Sequence, residues 1–188
     1  IGFNTDATGF LQALLERGIE PKGKDIVILG AGGASRAISF ILAERGSNLV
    51  ILNRLLELNW AKELASSLSC IFTKEVEALA LNEENLAKVL EKADILVNAT
   101  SVGMTPNIDE TLVPFNLLKP SLVVFDVVYN PIKTRLLREA EQAGAETISG
   151  IDMLVWQGAL AFEKWTGLKA PIEVMREEVI KVLERNEN

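Results

Sequence analysis

The residues with the clearest chemical signature are Gly30-Ala31-Gly32-Gly33-Ala34, which lie between two contrasting segments. Residues 25–29 before them are dominated by β-branched and aliphatic side chains and predict an apolar strand, whereas residues 35–45 after them predict a helix. In such a unit glycines let the backbone turn tightly and approach a pyrophosphate, which the free N–H groups of the helix start can bind. Ser35 replaces the third fingerprint glycine and is small enough for close helix–strand packing. These residues therefore predict a dinucleotide site rather than a plain connecting turn.

The end of the second predicted strand, residues 48–52, bears on which dinucleotide binds. The strand is followed by Asn53 and Arg54, and the acidic residue that would hold the ribose hydroxyls of NAD is absent. Arg54 instead offers a fork of donors to a phosphate dianion, which a carboxylate would repel. Asn53 and Arg54 therefore predict NADP (NADPH) as the cofactor, with a solvated surface cation as the plain alternative for Arg54.

Small and polar residues also follow three later strands of the predicted sheet. The segments are Asn98-Ala99-Thr100-Ser101-Val102-Gly103-Met104, Asp126-Val127-Val128-Tyr129-Asn130-Pro131 and Ser149-Gly150-Ile151-Asp152-Met153-Leu154, with Gln157 on the following helix. Ligands bind outside the carboxyl ends of the strands in sheets of this type. We therefore expect the nicotinamide ring and its substrate to lie among these segments.

The elements that must position these residues alternate along the chain. Helices are predicted at residues 7–17, 35–45, 56–68, 83–91, 133–143, 151–165 and 171–185, and strands at 25–29, 48–52, 70–72, 93–98, 122–126 and 146–148. Thr5 or Asp6 is expected to cap the first helix. This alternation predicts an α/β fold, a Rossmann-type doubly wound parallel sheet of about six strands with helices on both faces and two C-terminal helices. Residues 1–188 are expected to form one domain.

Composition narrows the classes of function. The net charge of −7 argues against nucleic acid or an anionic membrane as the main partner. Histidine is absent, so acid–base chemistry must use Asp, Glu, Lys or Tyr, and no metal site is predicted. The single Cys70 is expected to be a buried strand residue, and a chain without an internal disulfide is expected in the cytoplasm. Because the chain opens at Ile1 rather than Met, we expect an upstream part.

Six segments of the chain together resemble the C-terminal, NADP-binding domain of the shikimate dehydrogenase family. They follow the family's order and spacing: Gly2-Phe3-Asn4-Thr5-Asp6, Gly30-Ala31-Gly32-Gly33-Ala34-Ser35-Arg36-Ala37, Asn53-Arg54, residues 98–104, residues 126–131, and a stretch from Gly150 through Gln157 to Gly167. The resemblance implies a reversible hydride transfer between NADPH and the ring carbonyl of 3-dehydroshikimate, which gives shikimate.

The resemblance also assigns roles to individual residues. Asp6 matches a catalytic, substrate-contacting Asp that works with a Lys on the proton of the reacting oxygen, where hydride transfer builds alkoxide charge. Tyr129 and Gln157 match residues that hydrogen-bond the substrate, whereas Val127 and Gly150 match positions beside the nicotinamide. A plain helix cap, a turn aromatic and a polar helix residue remain the alternatives for Asp6, Tyr129 and Gln157. The other residues expected to line the cofactor are Thr100, Ser101, Met104 and Met153.

Two departures from the family pattern limit these expectations. The family's Lys belongs to an N-terminal substrate domain that this chain lacks, so the isolated chain is expected to bind cofactor but to turn over little. Leu55 stands where the family usually has Thr, and no cation follows Arg54 until Lys62, so a weaker preference for NADP is expected. A quinate/shikimate dehydrogenase that uses NAD and a stand-alone nucleotide-binding module both remain open, as does an oligomer.

Overall fold

The structure, a computed structural model, describes residues 2–186, so Ile1, Glu187 and Asn188 lie outside the described residues. Its elements are α1 (Asp6–Glu16), β1 (Asp25–Leu29), α2 (Gly33–Glu44), β2 (Asn48–Asn53), α3 (Leu58–Phe72), β3 (Val76–Ala80), α4 (Glu83–Leu90), β4 (Ile95–Asn98), β5 (Val123–Asp126), α5 (Arg135–Gln142), β6 (Glu146–Ser149), α6 (Gly150–Thr166) and α7 (Ile172–Asn186). Short 3₁₀ turns span Leu55–Glu57 and Phe115–Leu117. None of the helices within residues 2–186 is both long and apolar enough to cross a membrane.

The six strands form one parallel sheet in the order β3-β2-β1-β4-β5-β6. This order is that of a doubly wound dinucleotide-binding fold, so the predicted fold class is confirmed. The register aligns the strand ends, because Leu29 pairs with Leu52 and Asn98, and Asp126 pairs with Asn98 and Ser149. The loops that leave these ends consequently meet along one edge of the sheet.

Helices cover both faces of the sheet, and the side chains of β1 show how. Ile26 and Ile28 belong to the core on the face of α1, α2 and α3, whereas Val27 and Leu29 belong to the core on the face of α4 and α5. Since successive side chains of a strand point to opposite faces, a strand buried on both sides must be apolar throughout. This requirement explains why the central strands were recognisable from sequence.

Helices α1, α6 and α7 pack on one another, with α6 between α1 and α7. A Cβ atom at Gly9 of α1 would lie 2.8 Å from the backbone nitrogen of Gln157, so the two helices are in close contact there. Arg176 of α7 bonds to the buried Asp152 of α6 and, at 2.9 Å, to Glu16 of α1. These contacts hold α1 at Gly9 and at its last residue, Glu16, and so fix the helix that begins with Asp6 relative to α6.

Two local expectations were wrong. Residues 70–72 continue helix α3, in which Ala61, Leu64, Ala65 and Leu68 are buried at helical spacing, and Cys70 is exposed rather than a buried strand residue. The third strand is Val76–Ala80 instead. At the start of α1 neither Thr5 nor Asp6 supplies the cap, because the Asn4 side-chain oxygen accepts from the backbone N–H of Asp6 at 2.9 Å.

Candidate cofactor and substrate site

Three adjoining clefts form one groove along the carboxyl edge of the sheet. The first, of about 300 Å³, runs from the Gly30 turn to Arg54. The second, of about 450 Å³, shares Thr100 with the first, and the third, of about 310 Å³, shares Val127 with the second and ends at Asp6. Every predicted site residue except Gly33 lines this groove: Asp6, Gly30, Ala31, Gly32, Ala34, Asn53, Arg54, Thr100, Ser101, Met104, Val127, Tyr129, Gly150, Met153 and Gln157.

The glycine turn leaves space and free donors for an anion. Gly30 has a φ of 99°, and a Cβ atom there would lie 2.9 Å from Thr100 Cγ2, so the turn requires glycine. Gly32 is the N-cap of α2, no side chain caps the helix, and a Cβ atom at Gly32 or Gly33 would meet nothing within 4 Å. The first turn of α2 carries no acidic residue. An open, uncapped helix start of this kind fits a pyrophosphate.

Ser35 takes the third fingerprint position, and its side chain stabilises the glycine turn. Its side chain is fully buried, and its hydroxyl donates a hydrogen bond of 2.7 Å to the carbonyl oxygen of Gly30. The residue is therefore small enough for the helix to approach the strand, as predicted, and its hydroxyl also fixes the carbonyl of the turn.

Arg54 also lines the first cleft, and it is paired with a carboxylate. Its Nε and Nη2 donate to the two carboxylate oxygens of Glu57 at 3.1 and 2.7 Å. The Arg54 side chain is 73% exposed. Asn53 is buried, and its amide nitrogen donates to the backbone carbonyl of Glu57 at 2.8 Å, so it holds the 3₁₀ turn in place.

The loop after β4 is shaped by Asn98. The Asn98 side-chain oxygen accepts from the Thr100 hydroxyl at 2.7 Å, while its amide nitrogen donates to the Val102 carbonyl at 3.2 Å. The same amide donates to the Asp126 carboxylate at 2.9 Å, which links the ends of β4 and β5. Thr100 and Ser101 are thereby presented to both the first and the second cleft.

Asp126 is a fully buried carboxylate directly behind the groove. Besides the Asn98 amide, it accepts the Thr134 hydroxyl at 2.6 Å and the backbone N–H of Val128 at 3.1 Å. Burial raises the pKa of Asp126 to about 6, against the lowering effect of these hydrogen bonds. The carboxylate thus ties the Val127–Val128 backbone, which lines the groove, to the loops on both sides.

The Val127 backbone also lies against the start of α6. A Cβ atom at Gly150 would lie 2.3 Å from the Val127 carbonyl oxygen and 2.6 Å from that of Val128, so only glycine fits. Met153, one turn along α6, is buried and lines the third cleft. The place expected for the nicotinamide end is therefore a close backbone contact between the β5 loop and α6.

Asp6, Tyr129 and Gln157 meet in the third cleft. Asp6 is exposed, and no hydrogen bond to its carboxylate occurs within residues 2–186; because Asn4 caps the helix, the plain capping role for Asp6 is excluded. The Gln157 amide nitrogen donates to the Leu154 carbonyl at 3.1 Å, and its oxygen accepts from the Thr5 hydroxyl at 3.4 Å. Tyr129 is 45% exposed. An acid, a phenol and an amide therefore face one small space.

Sequence reasoning missed three residues of this region: Glu57, Trp60 and Asp126. Glu57 was recognisable in principle, because a residue three positions after Arg54 on a helical turn can reach it. Trp60 lines the first cleft from α3 with half of its surface exposed. Asp126 was seen only as part of a strand end, since its partners Asn98 and Thr134 come from separate parts of the chain.

Comparison with known proteins points to one family. Residues 13–131 match the family model described as Shikimate / quinate 5-dehydrogenase, and residues 150–180 match Shikimate 5'-dehydrogenase C-terminal domain. "Shikimate dehydrogenase (NADP(+))" of Methanopyrus kandleri is 51% identical over 97% of this chain and 63% of the relative. The chain thus spans less than two thirds of the length of this relative.

Two solved structures share the fold closely. Shikimate 5-dehydrogenase from Listeria monocytogenes, in complex with shikimate and NAD, has a TM-score of 0.88 and 39% identity, over 93% of this chain and 62% of the other. Quinate dehydrogenase from Corynebacterium glutamicum, in complex with NAD, has a TM-score of 0.86 and 32% identity, over 96% of this chain and 63% of the other.

Proposed function

The chain belongs to the shikimate/quinate 5-dehydrogenase family, and we propose that it is the cofactor-binding part of an NADP-dependent shikimate dehydrogenase. The enzyme is an oxidoreductase that transfers a hydride reversibly between NADPH and 3-dehydroshikimate, its small-molecule substrate, to give shikimate. The observation that carries the proposal is the continuous groove, which joins Arg54, the open glycine turn and Asp6 along one sheet edge. The name of the Methanopyrus relative supports NADP as the cofactor.

The groove offers a distinct place for each part of the cofactor. The uncapped start of α2 at Gly32 and Gly33 suits the pyrophosphate, and Arg54 is the candidate partner of the 2′-phosphate. Thr100, Ser101 and Met104 suit the middle of the molecule. The nicotinamide then lies against the place where the Val127 backbone meets the start of α6, beside Gly150 and Met153. When bound, the cofactor supplies or accepts the hydride.

Asp6 is the proposed catalytic residue. Reduction of a ketone leaves an alkoxide, and a carboxyl group within reach can take part in delivering the proton that neutralises it. Asp6 has no competing partner within residues 2–186, and Tyr129 and Gln157 can hydrogen-bond substrate hydroxyls in the same cleft. Of the described residues that line the three clefts, none is a lysine. We propose that the partner Lys comes from a substrate-binding domain outside this chain, and that residues 1–188 form the cofactor domain.

The test is a turnover assay on a protein in which this chain is joined to, or mixed with, its substrate-binding domain. We expect NADPH oxidation with 3-dehydroshikimate, and a loss of about 10²–10⁴-fold in kcat for Asp6→Asn with unchanged NADP⁺ affinity. Glu20→Gln, an exposed carboxylate beyond the end of α1, is the matched control. A kcat for Asp6→Asn within a few-fold of the control would reject the catalytic role.

The second candidate function is a quinate/shikimate dehydrogenase that uses NAD. The observation that favours it is the pairing of Arg54 with Glu57, which places a carboxylate in the part of the groove assigned to the adenosine ribose. The NAD complex of the Corynebacterium quinate dehydrogenase is consistent with this alternative. Comparing kcat/KM for shikimate and quinate with each dinucleotide decides between the two candidates.

We further propose a cytoplasmic location, because the single Cys70 forms no internal disulfide.

A further inference from the structure

We propose that Glu57 sets the cofactor preference of this chain, acting as an internal anion that competes with the 2′-phosphate of NADP for Arg54. The inference rests on the proposed function, since it concerns the same dinucleotide groove. Its basis is a two-point contact, in which Arg54 Nε and Nη2 meet the Glu57 carboxylate oxygens at 3.1 and 2.7 Å. A fork of this kind is the geometry with which arginine holds a phosphate.

The charged side chains of the first cleft explain why this competition affects the affinity for NADP. Of the described residues that line it, Arg54 is the one cation and Glu57 is the one anion, so the charged side chains of the cleft sum to zero. A 2′-phosphate carries about −1.5 to −2 charges near neutral pH. The charged side chains of the cleft therefore give it no net attraction, and it must displace the carboxylate from Arg54 or bind beside a like charge.

Glu57 is held where it can compete. The Asn53 amide donates to the Glu57 backbone carbonyl at 2.8 Å, and the 3₁₀ turn Leu55–Glu57 brings the backbone N–H of Glu57 to 2.9 Å from the Arg54 carbonyl oxygen. The Glu57 side chain is 28% exposed, whereas that of Arg54 is 73% exposed. The carboxylate is thus the better anchored partner, and the guanidinium remains able to turn between the carboxylate and a ligand.

NAD has no 2′-phosphate, so it does not compete with the Glu57 carboxylate for Arg54. Its ribose presents hydroxyls at this place, and a carboxylate accepts hydrogen bonds from ribose hydroxyls in dinucleotide-binding folds. Glu57 can serve as that acceptor, although it follows Arg54 instead of standing at the strand end. The arrangement narrows the difference in affinity between NADP and NAD, and the residue responsible is Glu57.

The test is calorimetric titration of the wild-type chain, Glu57→Gln and the control Glu63→Gln with NADP⁺ and with NAD⁺. Glu63 is exposed on α3 outside the cleft, so the control makes the same change of net charge. The Asn53 contact uses the backbone of Glu57, so Glu57→Gln leaves the turn intact. We expect Glu57→Gln to lower the Kd for NADP⁺ about five- to tenfold, the effect of about 1 kcal/mol or slightly more, with the Kd for NAD⁺ not lowered.

A second pair of variants shows whether Arg54 mediates the effect. In an Arg54→Ala background, Glu57→Gln is expected to change the Kd for NADP⁺ by no more than about twofold, because there is no longer a cation to release. Equal NADP⁺ affinity of Glu57→Gln and wild type would overturn the inference and leave the proposed function standing. If no protein bound either dinucleotide, both the inference and the proposed function would fail.

Discussion

Gly150→Ala is the substitution whose effect follows most directly from the structure. The added methyl carbon would lie 2.3 Å from the Val127 carbonyl oxygen and 2.6 Å from the Val128 carbonyl oxygen, distances that real side chains do not show. Both neighbours are backbone atoms, so the β5 loop or the start of α6 must move by roughly 0.7 Å to reach even the shortest contact that real side chains show, and by about 1.1 Å to reach an ordinary one. Overpacking of this kind costs about 1–3 kcal/mol. We therefore expect Tm to fall by about 2–12 °C in a chain of this size.

The matched control is Gly158→Ala on the same helix. A Cβ atom at Gly158 would meet only the mobile end of the Met175 side chain, at 3.3 Å, and alanine favours a helix interior by about 1 kcal/mol over glycine. Thermal unfolding of both variants by circular dichroism, followed by titration with NADP⁺, separates the two effects. We expect Gly150→Ala to lose both stability and affinity, because Val127 lines the groove. If Gly150→Ala matched Gly158→Ala in Tm and in NADP⁺ affinity, the close contact would have no role.

Two further predictions concern Arg54, which lines the groove, and Asp126, which is buried behind it. Arg54→Ala should weaken NADP⁺ binding about tenfold and leave NAD⁺ within about twofold, because only NADP⁺ offers a phosphate at this place; an equal loss for both dinucleotides would refute the assignment. For Asp126, burial raises the pKa from 3.8 to about 6, so the folded state binds the proton more tightly than the unfolded chain between these values. Its contribution to the unfolding free energy falls as pH rises from about 4 to about 6 and then levels off. Between pH 4.5 and 7, wild type should lose about 2 kcal/mol relative to Asp126→Asn in urea titrations, and identical pH dependences would exclude this.

The parts of the fold that were predictable from sequence are those whose pattern is forced by burial. Strand β1 was placed at its observed bounds because its four residues after the exposed Asp25 are buried, and a strand covered on both faces must be apolar where it is buried. Strand β3 (Val76–Ala80) was missed because it lies at the sheet edge, where Glu77 is exposed and the apolar signal is weak. The apolar residues 70–72 suggested a strand, but they complete the last turn of α3, whose earlier turns already pack on the core.

The site residues divide in the same way. Those set by a local sequence pattern were predicted, whereas contacts between residues far apart in the chain were not. Gly30 and Arg54 were found from sequence because their spacing is set by one strand–turn–helix–strand unit. The role of Asn4 as the cap of α1 was missed, since Asn4, Thr5 and Asp6 are all suitable capping residues and only the geometry distinguishes them. The Asp126 network joins residues from β4, β5 and the start of α5, a convergence that no local pattern reveals.

The central claim, that the groove binds NADP⁺ through the open start of α2, is tested most directly by titrating wild type and Gly32→Asp with NADP⁺ in a calorimeter. Gly32 has an ordinary extended conformation with nothing within 4 Å of its Cβ position, so an aspartate is accommodated and can cap α2. Its carboxylate would occupy the N–H groups needed by the pyrophosphate and repel that anion. The account predicts binding of one NADP⁺ per wild-type chain and a loss of about 100-fold or more in Gly32→Asp. Absence of binding by wild type, or equal affinity of the two proteins, would contradict it.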